Sequence, residues 1–242
     1  MIGSSGNPVV WVEPHRLKAG GQNRTTEGFP SPDDLAQALA SLPTGPTHWI
    51  VDDLWAPTLF SQDVVELPKG TEAREAFFQW RYAQGLGLEA PQAVQALPIG
   101  NAWLLVGIPK ALLEPWAQVA TRLGRPIQAM VPRWLWLYNR LAPSQEAPGI
   151  LLSLAASEEG RFTGSLVAWG STLNLIRQWQ ESADVETWMR ERILPTIAYL
   201  QREGTNPQGI WIWGGPVGSG HWPAGPVAFH LLPPEIPAQE VI

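Results

Sequence analysis

The sequence has no cysteine, little charge and no long uncharged apolar run. The absence of cysteine from all 242 residues excludes disulfides, thiolate catalysis and zinc sites built on thiolates. Charged residues make up 16% and the formal net charge is −6, so the concentrated positive field that non-specific nucleic-acid binding requires is missing. No apolar segment reaches the roughly 18 residues of a membrane helix, and the N-terminus lacks the pattern of a secretory signal. We therefore expect no nucleic-acid partner, and membrane association only through a partner or a segment beyond Ile242.

Apolar residues and tryptophan are abundant instead. The apolar fraction of 45% is enough to build a core, and the chain is long enough for one large domain or two lobes. Most of the fourteen tryptophans stand inside apolar periodic segments, which predicts that they fill the core. The alternative is a carbohydrate-binding protein, which would carry a flat row of exposed rings.

The hydrophobic pattern predicts an α/β chain. Helices are expected at 31–42, with Ser31 as N-cap, and at 71–84, 112–123, 134–141 and 184–202, the last kinked at Pro195. In the second helix Ala73, Phe77, Trp80 and Gln84 are expected to share one face. Residues 21–30 are predicted to be a loop, and 142–148 a boundary between lobes. Strands are predicted at 9–12, 17–20, 47–51, 59–67, 93–99, 103–108, 126–131, 149–154, 162–168, 172–178, 209–213 and 226–232.

No constellation of catalytic or metal-binding residues is evident in the sequence. The four histidines are not at metal-ligand spacing, and there is neither a nucleophile elbow nor a Walker loop. The pair Asp52-Asp53 follows a strand and is interpreted as a turn or cap, although a general base or a metal ligand is the alternative. A solvated face is expected for the four arginines Arg122, Arg125, Arg133 and Arg140.

The order of these elements resembles the actin-like ATPases, and in particular PilM of type IV pili and the cytoplasmic domain of GspL of type II secretion. The resemblance rests on the strand-helix-strand-strand segment 58–108, on the run 103–110 that leads through a helix to Gly124-Arg125-Pro126, and on the glycines after the strand 209–213. It implies an actin-like (ribonuclease H-like) two-lobed fold with a small β-α-β-β insertion subdomain. The implied domains are a first lobe of 1–57 plus 109–145, the insertion 58–108, a second lobe 146–232 and a tail 233–242.

The phosphate loops depart from the pattern of active members of that family. Their first loop carries an aspartate and a glycine where this chain has Trp11 and Glu13, and their second loop reads Asp-x-Gly where this chain has Ser153-Leu154-Ala155. Those aspartates hold hydrated Mg²⁺, and the glycines let backbone N–H groups reach the phosphates. The resemblance therefore implies a degenerate nucleotide cleft, no cofactor, no metal and no catalytic residue. The vestigial cleft is assigned to Glu13, His15, Ser153, Gly214 and Gly215.

These departures predict a non-catalytic scaffold rather than an enzyme. The resemblance implies a cytoplasmic protein, peripheral to the inner membrane, in the assembly platform of a type IV pilus or type II secretion system. Its expected partners are a PilN-like or GspM-like membrane subunit and the assembly ATPase, and a homodimer is also compatible. Trp55, Phe60 and Trp80 are the candidate partner-binding residues. The alternatives are an active ATP-binding ATPase or kinase relative, and the carbohydrate-binding protein.

Overall fold

A computed structural model describes residues 7–61, 67–142, 147–156, 161–214 and 227–233. The chain divides into two compact units, Met1–Arg133 and Trp134–Ile242. Within the described ranges, no helix is long and apolar enough to cross a bilayer. The strands are β1 (Val9–Glu13), β2 (Arg16–Ala19), β3 (Gln22–Thr25), β4 (Thr47–Val51), β5 (Thr58–Ser61), β6 (Gln92–Ile99), β7 (Ala102–Pro109), β8 (Ile127–Pro132), β9 (Gly149–Ala156), β10 (Phe162–Trp169), β11 (Leu173–Ala183), β12 (Gly209–Trp213) and β13 (Ala228–Leu231).

The helices begin and end largely where local chemistry predicts. The Ser31 side chain accepts a hydrogen bond from the Asp34 backbone, and the Asp34 carboxylate accepts one in return, which forms a capping box. Gly124, at φ +69°, follows the C-cap of the third helix, as its sequence position predicted. The helices are α1 (Pro32–Ala40), α2 (Thr71–Leu86), α3 (Lys110–Arg122), α4 (Arg133–Leu141), α5 (Val185–Thr187) and α6 (Leu194–Arg202), with a π-helical turn at Trp188–Ile193 between the last two.

The first unit contains a five-stranded sheet in the order β3-β2-β1-β4-β8. Strands β1 to β3 are antiparallel, whereas β4 runs parallel to β1 and β8 parallel to β4. The β3 strand lies within the predicted loop 21–30, so that prediction was wrong. Its four polar residues lack the apolar alternation of a half-buried strand because β3 is a mostly exposed sheet edge.

A separate three-stranded sheet in the first unit has the order β5-β7-β6 and packs against α2. The predicted apolar face of α2 was wrong, since the helix buries Phe78 and Tyr82 and leaves Trp80 56% exposed. The side chain of Tyr82 lies over Gly107, where a Cβ would collide with the ring, and its hydroxyl donates to the Pro57 carbonyl at 2.7 Å. The bare glycine on β7 thus determines which face of α2 packs inward.

The second unit repeats the arrangement of the first sheet, in the order β11-β10-β9-β12-β13. Strands β9 to β11 are antiparallel, and β12 and β13 add in parallel. Its core combines these strands with α6 and the π-helical turn, through Trp188, Ile193, Ile197 and Leu200. The π-helical turn ends just before Pro195, the position of the predicted kink, and a proline has no N–H to donate back into the preceding turn. Each unit therefore holds one copy of the same five-stranded topology.

Candidate functional site

Four charged residues meet at the carboxyl ends of the parallel strands in the first unit. Glu13 is the last residue of β1, Asp52 and Asp53 follow β4 directly, and Arg133 follows β8 directly as the first residue of α4. Because β1, β4 and β8 are parallel neighbours, their carboxyl ends lie at one edge of the sheet. We call these four residues the carboxylate–arginine cluster.

The guanidinium of Arg133 contacts all three carboxylates of the cluster. Its Nη1 donates to Asp52 Oδ2 at 2.6 Å and lies 3.6 Å from Glu13 Oε1, and its Nη2 lies 3.7 Å from Asp53 Oδ2. The side chains of Asp52 and Asp53 have no exposure and that of Arg133 has 2%, whereas Glu13 keeps 18%. Asp52 also accepts a hydrogen bond from the Leu54 backbone at 2.9 Å, so it forms the predicted turn as well.

The electrostatics of the cluster favour a permanent positive charge on Arg133. Burial alone disfavours the charged guanidinium, but the carboxylates of Asp52, Asp53 and Glu13 outweigh burial and hold the pKa of Arg133 above its ordinary value. Three carboxylates around one guanidinium leave the cluster with an excess of negative charge. Removing the guanidinium would leave two fully buried carboxylates without their shared counter-ion.

The prediction of a solvated arginine face was wrong for Arg133 and only partly right for the others. Arg125 donates to the Leu42 carbonyl beyond the end of α1, and Arg140 lies 3.7 Å above the ring of Trp136. Of the four, Arg122 is exposed. The missed signal for Arg133 was its position directly after a strand, which matches the position of Asp52 in the neighbouring strand.

His15 belongs to the turn between β1 and β2. It has φ +60°, and its Nδ1 accepts a hydrogen bond from the Gly28 backbone at 3.1 Å. The backbone of His15 also accepts from Thr26 and donates to Gly28. The loop after β3 therefore closes over this turn.

The predicted cleft residues of the second unit lie in its sheet. Ser153 is buried in β9, and Gly214 follows β12 with φ +75°. A Cβ at Gly214 would overlap the carbonyl oxygen of Leu154, so close packing against β9 by itself requires glycine there. Gly215 lies outside the described residues.

The first-unit residues do not fit a hydrated magnesium ion with its nucleotide. The carboxylates that could hold a cation already surround the guanidinium of Arg133. In the described part of the chain, this cluster included, no group of three acidic or histidine side chains is arranged to hold a metal ion.

The three candidate partner-binding residues have different exposures. Trp55 is buried and stacks on Phe29 at 4.5 Å, Phe60 is half-buried in β5, and Trp80 is exposed on α2 beside Phe77. Among the tryptophans that the structure describes, Trp80 is the exposed one, so the flat row of rings of a carbohydrate platform is not found there.

Comparison with known proteins gives no family model and no curated protein that matches this chain. Several solved structures match, and two of them cover most of the chain. One is the cytoplasmic domain of EpsL, an inner membrane component of the type II secretion system of Vibrio cholerae, with 12% identity, a TM-score of 0.52 and coverage of 94% of this chain and 90% of that chain. The other is the PilM-PilN type IV pilus biogenesis complex, with 14% identity, a TM-score of 0.60 and coverage of 94% and 88%. The chain therefore has the mixed α/β fold of these two structures, as the resemblance predicted.

Proposed function

We propose that this protein is a non-catalytic scaffold in the inner-membrane assembly platform of a type IV pilus or type II secretion system. The observation that carries the proposal is the carboxylate–arginine cluster, in which the carboxylates at the strand ends are already paired with the guanidinium of Arg133. The two structural neighbours, an inner membrane component of type II secretion and a pilus biogenesis complex, support the choice of system. The proposed location is cytoplasmic and peripheral to the inner membrane.

The proposed partner is the cytosolic segment of a PilN-like or GspM-like membrane subunit. A surface for it is offered by α2 on the three-stranded sheet, within the segment 58–108 that we propose as the inserted subdomain. Trp80 and Phe77 lie 6.1 Å apart there, and exposed tryptophan is the residue type that most often dominates binding energy. Phe60 adds a half-buried ring on β5 of the same sheet.

Binding of the purified PilN-like or GspM-like segment tests the partner. Replacing Trp80 by alanine should weaken binding at least tenfold, which corresponds to about 1.4 kcal/mol, a modest loss for a central aromatic side chain. The matched control is Gln79→Ala, since Gln79 is exposed on the same helix and should change binding little. Equal binding by both variants would remove α2 from the interface, and no binding by the wild type would reject the partner.

Calorimetry with Mg-ATP tests the absence of nucleotide chemistry. The scaffold proposal expects no heat of binding from the wild-type protein. Micromolar binding that is lost in Asp52→Asn would instead support the ATPase or kinase alternative.

A further inference from the structure

We propose that the guanidinium of Arg133 is a permanent internal cation that replaces a divalent metal ion at the carboxyl ends of β1, β4 and β8. The inference deepens the proposed non-catalytic role and rests on it. As a consequence, the charge and the packing of the carboxylate–arginine cluster depend neither on divalent cations nor on nucleotide.

The four residues of the cluster converge on one point at the edge of the sheet. Acidic side chains from two adjacent parallel strands, β1 and β4, converge on one point at the sheet edge, and a third parallel strand, β8, delivers a cation to that point. Oxygen atoms of carboxylates are the ligands that hard divalent cations prefer. Without a positive charge, the buried carboxylates of Asp52 and Asp53 would repel each other and the partly exposed carboxylate of Glu13.

The guanidinium of Arg133 has the properties that a fixed internal cation requires. A guanidinium cannot lose its proton in a protein, and its planar fork donates in several directions at once. Arg133 uses both terminal nitrogens, Nη1 for Asp52 and Glu13 and Nη2 for Asp53. Because the side chain is covalently attached and buried, this cation can be neither chelated nor exchanged. The carboxylates spread around a group larger than a metal ion, which agrees with the lack of a ready metal-binding arrangement in the described residues.

Titration with Mn²⁺ tests the inference on variants of the whole chain. Arg133→Ala opens the space of the guanidinium, so Mn²⁺ should bind at a one-to-one ratio in calorimetry. At about one hundred times its dissociation constant, Mn²⁺ should raise the melting midpoint by roughly 5 to 10 °C. The wild type and Arg133→Lys, which keep a positive charge, should show neither effect. The triple variant Asp52→Asn, Asp53→Asn, Arg133→Ala keeps the space without the buried carboxylates and should not respond.

A second variant covers the case in which Arg133→Ala does not fold without metal. Glu13→Gln combined with Arg133→Ala keeps both buried aspartates with one negative charge fewer, and it should fold and bind Mn²⁺. The inference is overturned if both variants stay unaffected by millimolar Mn²⁺, whether folded or unfolded. It is also overturned if the wild type binds Mn²⁺ and loses this binding in Asp52→Asn. The proposed function fails separately if the wild type does not bind the partner segment. It also fails if the wild type binds Mg-ATP. Neither outcome changes the expected Mn²⁺ binding of the Arg133→Ala variants, so the two proposals can be told apart.

Discussion

The unfolding free energy of a Gly214→Ala variant should show whether backbone packing, rather than nucleotide binding, requires glycine at position 214. The resemblance implies that the glycines after β12 are remnants of a nucleotide cleft, whereas in the structure Gly214 has φ +75° and a Cβ there would overlap the Leu154 carbonyl. The left-handed conformation costs an alanine about 1 kcal/mol relative to glycine. Forcing a methyl group into a packed backbone adds roughly 1–3 kcal/mol, so Gly214→Ala should lose about 2–4 kcal/mol of unfolding free energy.

The matched control for this substitution is Gly204→Ala in the same unit. Gly204 has φ +81°, and nothing lies within 4 Å of the position that a Cβ would take, so alanine there should lose only about 1 kcal/mol. Urea unfolding followed by tryptophan fluorescence measures both variants, and their difference isolates the overlap with β9. If the two variants lose the same free energy, packing does not explain Gly214 and the nucleotide interpretation regains its basis.

Further predictions concern three residues of the first unit. Arg133→Met should lose about 3–5 kcal/mol of unfolding free energy in urea because it leaves buried carboxylates without a counter-ion, and a variant as stable as the wild type would contradict the ion-pair geometry. Tyr82→Phe should lose about 1–2 kcal/mol with the 2.7 Å hydrogen bond. Burial raises the pKa of Tyr82, and also that of Tyr138 in the second unit, above the ordinary value. Alkaline absorbance should therefore show two of the three tyrosines ionising later than free tyrosine, and one of these two should be missing in Tyr82→Phe. Hydrogen bonds from the Ser31 side chain and backbone lower the pKa of Asp34 below its ordinary 3.8, so Asp34 stabilises the fold above that pH. The difference in melting midpoint between wild type and Asp34→Asn should therefore shrink as the pH falls below the ordinary 3.8 of an aspartate. The control is Asp33→Asn, which leaves the capping box intact.

Local chemistry allowed much of the fold to be predicted from the sequence. The N-cap at Ser31 depends on a few neighbouring residues, and it is confirmed. The neighbouring strands predicted at 93–99 and 103–108 are likewise confirmed as the antiparallel pair β6 and β7. The edge strand β3 was missed because a solvent-exposed strand needs no apolar alternation. The face of α2 was missed because Gly107, about 25 residues further along, decides it.

The candidate site was harder to predict than the fold. Glu13, Asp52 and Arg133 are far apart in sequence, and no local pattern relates them. Their meeting depends on the strand order β1-β4-β8, which becomes visible only once the sheet is assembled. The sequence marks Glu13 only as a residue that replaces the glycine of the first phosphate loop. Its partner Arg133 is predicted to lie on a solvated face.

The two copies of the five-stranded sheet differ in how they are covered. The edge strand β11 of the second sheet is mostly half-buried, whereas β3, the equivalent edge strand of the first sheet, is almost entirely exposed. Amide hydrogens open to exchange most readily where few side chains shield the backbone. In heavy water the amides of β11 should thus keep their protons longer than those of β3, so that the repeated topology conceals two sheet edges of unequal local rigidity.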